Sequence, residues 1–213
     1  WAVDPVMALF FGGFVLGVAT EKTGLDKHIT QLAFRSSGPS FHRFLLFTIL
    51  ITAFLSMWMS NIAAAALVFA GLKPILEKYE DGHILRRIIL IGVALGADFG
   101  GIATPIGTGP NAIAIASISE TQPVSFVSWM AFAFPLTVGM LFASFLLLAW
   151  RVRDRDGEWA LAERPMDTAS DEFTSSNSRR LGFLTILIST IGLWLTEPLH
   201  NIPAAVIALG SAA

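Results

Sequence analysis

Two polar stretches break into apolar sequence: Ser56-Met57-Trp58-Met59-Ser60-Asn61, and Thr104-Pro105-Ile106-Gly107-Thr108-Gly109-Pro110-Asn111. The surroundings are those of a membrane protein. Of the 213 residues, 54% are hydrophobic and 14% charged, with a mean hydropathy of +0.66, against about 25% charged in soluble domains. Backbone that leaves the helix inside a bilayer is tolerated only when it is buried in protein or lines a watery cavity. Both interruptions are therefore expected inside the molecule. The chain lacks cysteine, which removes disulfides and thiolate metal sites.

Charge placement orders the apolar segments, which fall at about 5–20, 44–76, 84–119, 126–150, 181–196 and 202–213, a crossing helix needing roughly 20 residues. Every Lys and Arg falls in one of three groups: Lys22 to Arg43, Lys73 to Arg87, and Arg151 to Arg180. The connections after Ser119 and Leu195 have none, so the basic groups are assigned to the cytoplasm and those two loops to the outside. Residues 44–76 are then basic on both flanks and must enter and leave on one side. As a single helix they would run about 50 Å, too long for one crossing, whereas two arms of about 15 residues reach some 22 Å each. A re-entrant hairpin with Ser60 and Asn61 at its tip is predicted. Residues 84–119 cross once but hold Gly100, Gly101, Pro105, Gly107, Gly109 and Pro110, too many breakers for a continuous helix. They are read as two half-helices joined by an unwound loop.

Only 126–150 reads as an uncomplicated span, with Trp129 and Trp150 as interfacial anchors. Residues 151–180 read as a cytoplasmic linker with one interfacial helix near Trp159 to Glu163. The chain begins at Trp1 without an initiator Met and ends in an apolar run, so it is read as part of a longer transporter. In this division 1–150 form a first repeat, and 181–213 begin a second.

A hairpin tip and an unwound loop at similar depth are the parts from which membrane carriers build a site. Half-helix N-termini favour an anion, and freed carbonyls and hydroxyls suit a cation. Ser56 and Ser60 at i, i+4 would place two hydroxyls on one face of the first arm. With Asn61 and carbonyls around Gly107 they offer an all-oxygen cation site. Ser60, Asn61, Thr108 and Asn111 are the candidates for contacting an anion. Asp98 lies 11 residues beyond Arg87, roughly 16 Å inward along a helix. A carboxylate at that depth is costly and usually functional, which makes it a candidate for the coupling cation or a proton. Gly13 and Gly17 form a small-xxx-small pattern for close helix packing.

The run Phe54-Leu55-Ser56-Met57-Trp58-Met59-Ser60-Asn61, then Gly100-Gly101 and Ile106-Gly107-Thr108-Gly109-Pro110-Asn111, resembles the divalent anion/sodium symporters of the arsenite-permease-like superfamily. So do Asp4-Pro5-Val6, Phe10-Phe11-Gly12-Gly13-Phe14 and Glu21-Lys22-Thr23-Gly24-Leu25, which extends the resemblance over about residues 4–150. The resemblance implies an all-α membrane protein: a homodimeric, elevator-type carrier of two inverted repeats moving di- or tricarboxylates or sulfate with Na⁺. Carried over residue by residue, it makes Ser56, Ser60, Asn61 and Gly107 the Na⁺ ligands, with Ser60 and Asn61 also facing substrate. This chain departs from the family pattern at Ile62, where the family has threonine, at Gly109, which replaces the first of two prolines, and at Asp98, where a small neutral residue is usual.

The expected function is Na⁺-coupled symport of small anions such as dicarboxylates or citrate, in a bacterial or archaeal inner membrane, with lipid as surroundings. The alternatives are an antiporter or oxyanion permease of the same superfamily, and a non-transport membrane subunit. An enzyme is not expected, because His28, His42, His83 and His200 show no metal-binding spacing. No P-loop is present, and neither a bound cofactor nor a nucleic-acid partner is expected.

Overall fold

The fold is described from a computed structural model, which describes residues 5–23, 40–119, 121–153, 159 and 177–212. Every regular element among them is a helix. Helix α1 spans Pro5–Thr23, with proline at its first position, where the missing N–H costs nothing. The hairpin comprises α2 (Phe41–Ser56) and α3 (Asn61–Leu76). The interrupted helix comprises α4 (Ile84–Ile102) and α5 (Gly109–Ser119). Then come α6 (Phe126–Arg151), α7 (Asn177–Leu195), the short α8 (Glu197–His200) and α9 (Ala204–Ala212).

Both predicted breaks are present. The 44–76 segment is two helices of 16 residues each, separated by residues 57–60, and each arm is about 24 Å long. The 84–119 segment unwinds over residues 103–108. Two expectations need correction. Gly100 and Gly101 do not end α4, which runs on to Ile102; they are there for close approach. A Cβ on Gly100 would land on the Ala53 backbone, and one on Gly96 would come within 2.7 Å of the Ile49 carbonyl oxygen. With Gly92 against Leu45 and Ile49, these glycines form an i, i+4, i+8 seam along which α4 lies on α2. Ser56 and Ser60 do not share a helical face, because α2 ends at Ser56 and Ser60 is the N-cap of α3.

One apolar cluster joins the start of α2 (Phe41, Phe44), the end of α3 (Leu72, Leu76), the start of α4 (Leu85, Ile88) and the end of α6 (Leu148, Val152). The basic residues at these termini, Arg43, Lys73, Arg86 and Arg151, therefore sit at one end of the bundle. Trp159, from the stretch read as a linker, packs on Phe41 and Phe44 with ring centroids 5.3 and 4.6 Å apart. The rest of the interfacial helix expected there lies outside the described residues. The turn between α3 and α4 uses Gly82 at φ +94°, a conformation that side chains disfavour.

At the opposite end, Ser125 and Ser128 form a reciprocal capping box at the start of α6, and Glu197 accepts a further hydrogen bond from the Phe126 N–H at 3.0 Å. Phe126 stacks on Trp194, and α9 packs tightly on α1, where Gly12 meets the Ala208 backbone. Among the described residues one helix, Phe126–Arg151, is long and apolar enough to cross a membrane by itself. Its Trp150 is 67% exposed, as an anchor would be. Trp129 is half-buried, and its indole N–H points inward to the Ile102 carbonyl.

Candidate functional site

Ser56 ends the first arm fully buried. Its Oγ lies 2.7 Å from the Ala97 carbonyl oxygen on α4 and 2.9 Å from Asn61 Oδ1. A hydroxyl carries one proton and can donate to only one of these acceptors. The Ser56 hydroxyl, the Asn61 amide oxygen and the Ala97 carbonyl thus form a compact cluster of three oxygens at the junction of α2, α3 and α4.

Ser60 caps α3, its Oγ accepting from the Ala63 N–H at 3.2 Å. The capped helix starts with Asn61, whose amide lies on α4 because residue 101 is glycine; a Cβ there would collide with Asn61 Oδ1. The other end of the same amide, Nδ2, donates to Asp98 Oδ1 at 3.4 Å. Asn61 thus spans from a buried oxygen cluster to an exposed carboxylate.

Unwinding residues 103–108 frees the carbonyls at the end of α4, and these need partners. Ala103 N–H serves Gly100, Asn111 Nδ2 serves Gly101 and Thr104 at 2.8 Å each, Trp129 Nε1 serves Ile102 at 3.0 Å, and Thr137 Oγ1 serves Phe99 at 3.3 Å. Thr104 Oγ1 donates to the Met57 carbonyl at 2.6 Å, which ties the break to the hairpin tip.

Between α1, the hairpin tip and the break lies a cavity of about 500 Å³. Its polar side is Ser60, Asn61, Asp98, Thr108 and the backbone of Gly107 and Gly109; its apolar side is Phe10, Phe14, Val18, Trp58, Ile62 and Ile106. The N-termini of α3 and α5 both border it. Each brings partial positive charge, although the Ala63 and Asn111 N–H groups are already paired with Ser60 Oγ and the Thr108 carbonyl, and Pro110 has no N–H to offer. Asp98 is the one ionisable side chain on the cavity wall among the described residues. Gly13 and Gly17 of α1 make room here, Gly13 against Ile106 and Gly17 against Trp58 and Met59.

Of the residues singled out from sequence, Ser60, Asn61, Asp98, Gly107 and Thr108 line this cavity. Ser56 sits behind Asn61 and reaches it only through the Asn61 amide. Asn111, expected to contact an anion, is 5% exposed and does not line this cavity, and its Nδ2 donates to carbonyls of the break. Sequence reasoning missed the supporting donors Thr104, Trp129 and Thr137. Trp129 and Thr137 come from α6, 27 and 38 positions from the carbonyls they serve, so no local sequence signal pointed to them.

The family model described as citrate transporter matches residues 1–213. An uncharacterized transporter of Haemophilus influenzae is 36% identical over 65% of this chain and 30% of its own length. The Na⁺/citrate cotransporter of Mus musculus is 28% identical over 67% of this chain and 32% of its own length. An inorganic phosphate transporter of Saccharomyces cerevisiae is 26% identical over 91% of this chain and 20% of its own length. The chain spans between a fifth and a third of these relatives. They come from yeast and mouse as well as a bacterium, so they do not single out a bacterial or archaeal membrane. The relatives are transporters and not enzymes, and with the matching family model and the cavity between two helix N-termini they lead to one conclusion: the chain belongs to the citrate transporter family of multi-pass integral membrane proteins.

Proposed function

We propose that this chain forms one half of the anion and Na⁺ site of a Na⁺-coupled secondary transporter of small anions, of the di- or tricarboxylate or sulfate class. The observation that carries this reading is the placement of Asn61. Its amide joins a buried cluster of cation-suited oxygens to a cavity that two helix N-termini make favourable for an anion. Ser60, Asn61 and Thr108 contact the anion, while Ser56, Ser60, Asn61 and the Gly107 backbone hold Na⁺. Asn111 acts at one remove, by keeping the break in shape. The mouse relative's Na⁺/citrate activity supports the coupling, and the phosphate relative supports an oxyanion as the substrate class. Uptake of labelled succinate, citrate, sulfate or phosphate by the full-length transporter, with Na⁺ present or replaced by choline, tests the reading. No Na⁺-dependent uptake of any of them would refute it.

In the same reading residues 1–150 are the first of two inverted repeats and 151–180 a cytoplasmic linker, within a homodimeric, lipid-embedded elevator-type carrier. The hairpin is re-entrant from the cytoplasm, a topology supported by the basic residues that gather at its open end. Single cysteines placed at Arg43 and Lys78 on a cysteine-free background should both be labelled from the cytoplasmic side; labelling from opposite sides would rule the hairpin out.

Asp98 is the candidate coupling residue. Its carboxylate faces the cavity within reach of the Asn61 amide, so it can offset the charge of a cation or carry a proton beside the anion. Replacing Asp98 with asparagine keeps the shape and removes the charge. The expected outcome is a shallower dependence of uptake on cation concentration or pH, and an unchanged dependence on both would exclude the role.

A further inference from the structure

The break faces two cavities. Ile106, Gly107, Thr108 and Gly109 line the one that holds Asn61 and Asp98, whereas Pro105 lines a second, of about 600 Å³. Helix α1 sets their order: Pro5 and Leu9 line the second cavity, Gly13, Gly17 and Val18 the first, and Lys22 follows in the last turn, at the end assigned to the cytoplasm. Helix α5 agrees, since Gly109 at its start lines the first cavity and Ile115, Ala116 and Ser119 toward its outer end line the second. The second cavity therefore lies on the outer side of the first. From Leu9 to Gly13 is about one turn of α1, so roughly 6 Å of protein separates the two.

Ile106 fills that turn. It is 7% exposed and packs in the apolar cluster of Leu9, Leu16, Trp194 and Ala208, apart from the cluster that holds the hairpin and α4 together. It enters the notch left by Gly13, where a Cβ would lie 2.7 Å from the Ile106 Cβ. Resting on the reading of the inner cavity as half of an anion site, we infer that the second cavity is the outer vestibule of the transport path and that Ile106, seated against Gly13, is the gate between them. A constriction lined by hydrocarbon excludes hydrated ions. Ile106 stands on the unwound residues 103–108, so it can withdraw without breaking the ladder of either half-helix. The vestibule has one carboxylate among the described residues, Glu197, and its Oε2 accepts from the Phe126 N–H at the start of α6. That helix end offsets the charge, which leaves the vestibule passable to an anion.

The test is labelling of single cysteines in the full-length transporter, on a cysteine-free background in intact cells, by a membrane-impermeant thiol reagent added outside. Na⁺-dependent uptake of succinate, citrate, sulfate and phosphate is measured on the same cells. Ser119→Cys, in the vestibule, should react readily, and Val18→Cys, in the inner cavity, about tenfold more slowly, as behind a gate that is shut nine-tenths of the time. Adding Ile106→Ala should bring the Val18→Cys rate up to about that of Ser119→Cys, whose own rate stays the same. Ile106→Val, which removes one methylene and is mild enough to fold, should raise the Val18→Cys rate by about threefold. Equal labelling of the two cysteines with Ile106 in place, or no labelling of Ser119→Cys, would overturn the inference. So would a Val18→Cys rate that neither Ile106 variant raises. Where Na⁺-dependent uptake is intact, each of these results leaves the transport reading standing. Absence of Na⁺-dependent uptake of all four anions by the unsubstituted transporter would overturn both.

Discussion

Asn61 and Asn111 each stand at the start of a helix that resumes after a break, yet they are used in opposite ways. At the hairpin tip the helix end is capped by Ser60 Oγ, so the Asn61 side chain is free to bridge the buried Ser56 oxygen and the cavity-facing Asp98. In the interrupted helix the loop is longer and frees more carbonyls, and Asn111 turns inward to serve two of them. A polar residue at a helix break serves either a ligand or an orphaned backbone. Which one depends on how the local carbonyls are otherwise satisfied.

The two asparagines can be separated experimentally. Asn61→Ala has the largest expected effect on transport, a loss of Na⁺-dependent uptake by about a hundredfold or more from losing an interaction made to both ion and anion. Its melting temperature should change little, and wild-type uptake in this variant would break the comparison. Asn111→Ala has the largest expected effect on stability. It leaves the Gly101 and Thr104 carbonyls short of a donor inside the protein, which costs about 2–3 kcal/mol and should appear as a lower thermal midpoint. If that variant is as stable as the wild type but no longer transports, Asn111 belongs with the ligands after all. Trp129→Phe is the mildest of the three, removing the donor to the Ile102 carbonyl for about 1 kcal/mol, with measurable uptake retained.

Both breaks could be read from sequence because their causes are local. Basic residues on each side of 44–76 demand a return, and the run of Gly and Pro over 105–110 breaks the helix, with Gly109 and Pro110 opening the next one. The roles within the breaks could not, because they depend on neighbours distant in sequence. Gly101 lets the Asn61 amide lie against α4, 40 positions along the chain, and in sequence a glycine that permits close approach looks the same as one that ends a helix. Ser56 and Ser60 look like a matched pair only if the helix continues between them, and it ends at the first. Trp129 reads as an anchor by its place near a span's end, but the unserved Ile102 carbonyl claims its N–H. That Phe14 of α1 shares a cavity with Ile62 of the hairpin tip is visible only in the fold.

The most direct test of the division between a binding asparagine and a supporting one is the shift in thermal midpoint of the full-length transporter when choline is replaced by Na⁺. A ligand that binds only the folded state at a hundred times its Kd stabilises by about 2.7 kcal/mol. The wild type and Asn111→Ala, whatever the latter's starting midpoint, should both gain from Na⁺, whereas Asn61→Ala should gain nothing. A Na⁺ shift in Asn61→Ala equal to the wild type's would contradict that division.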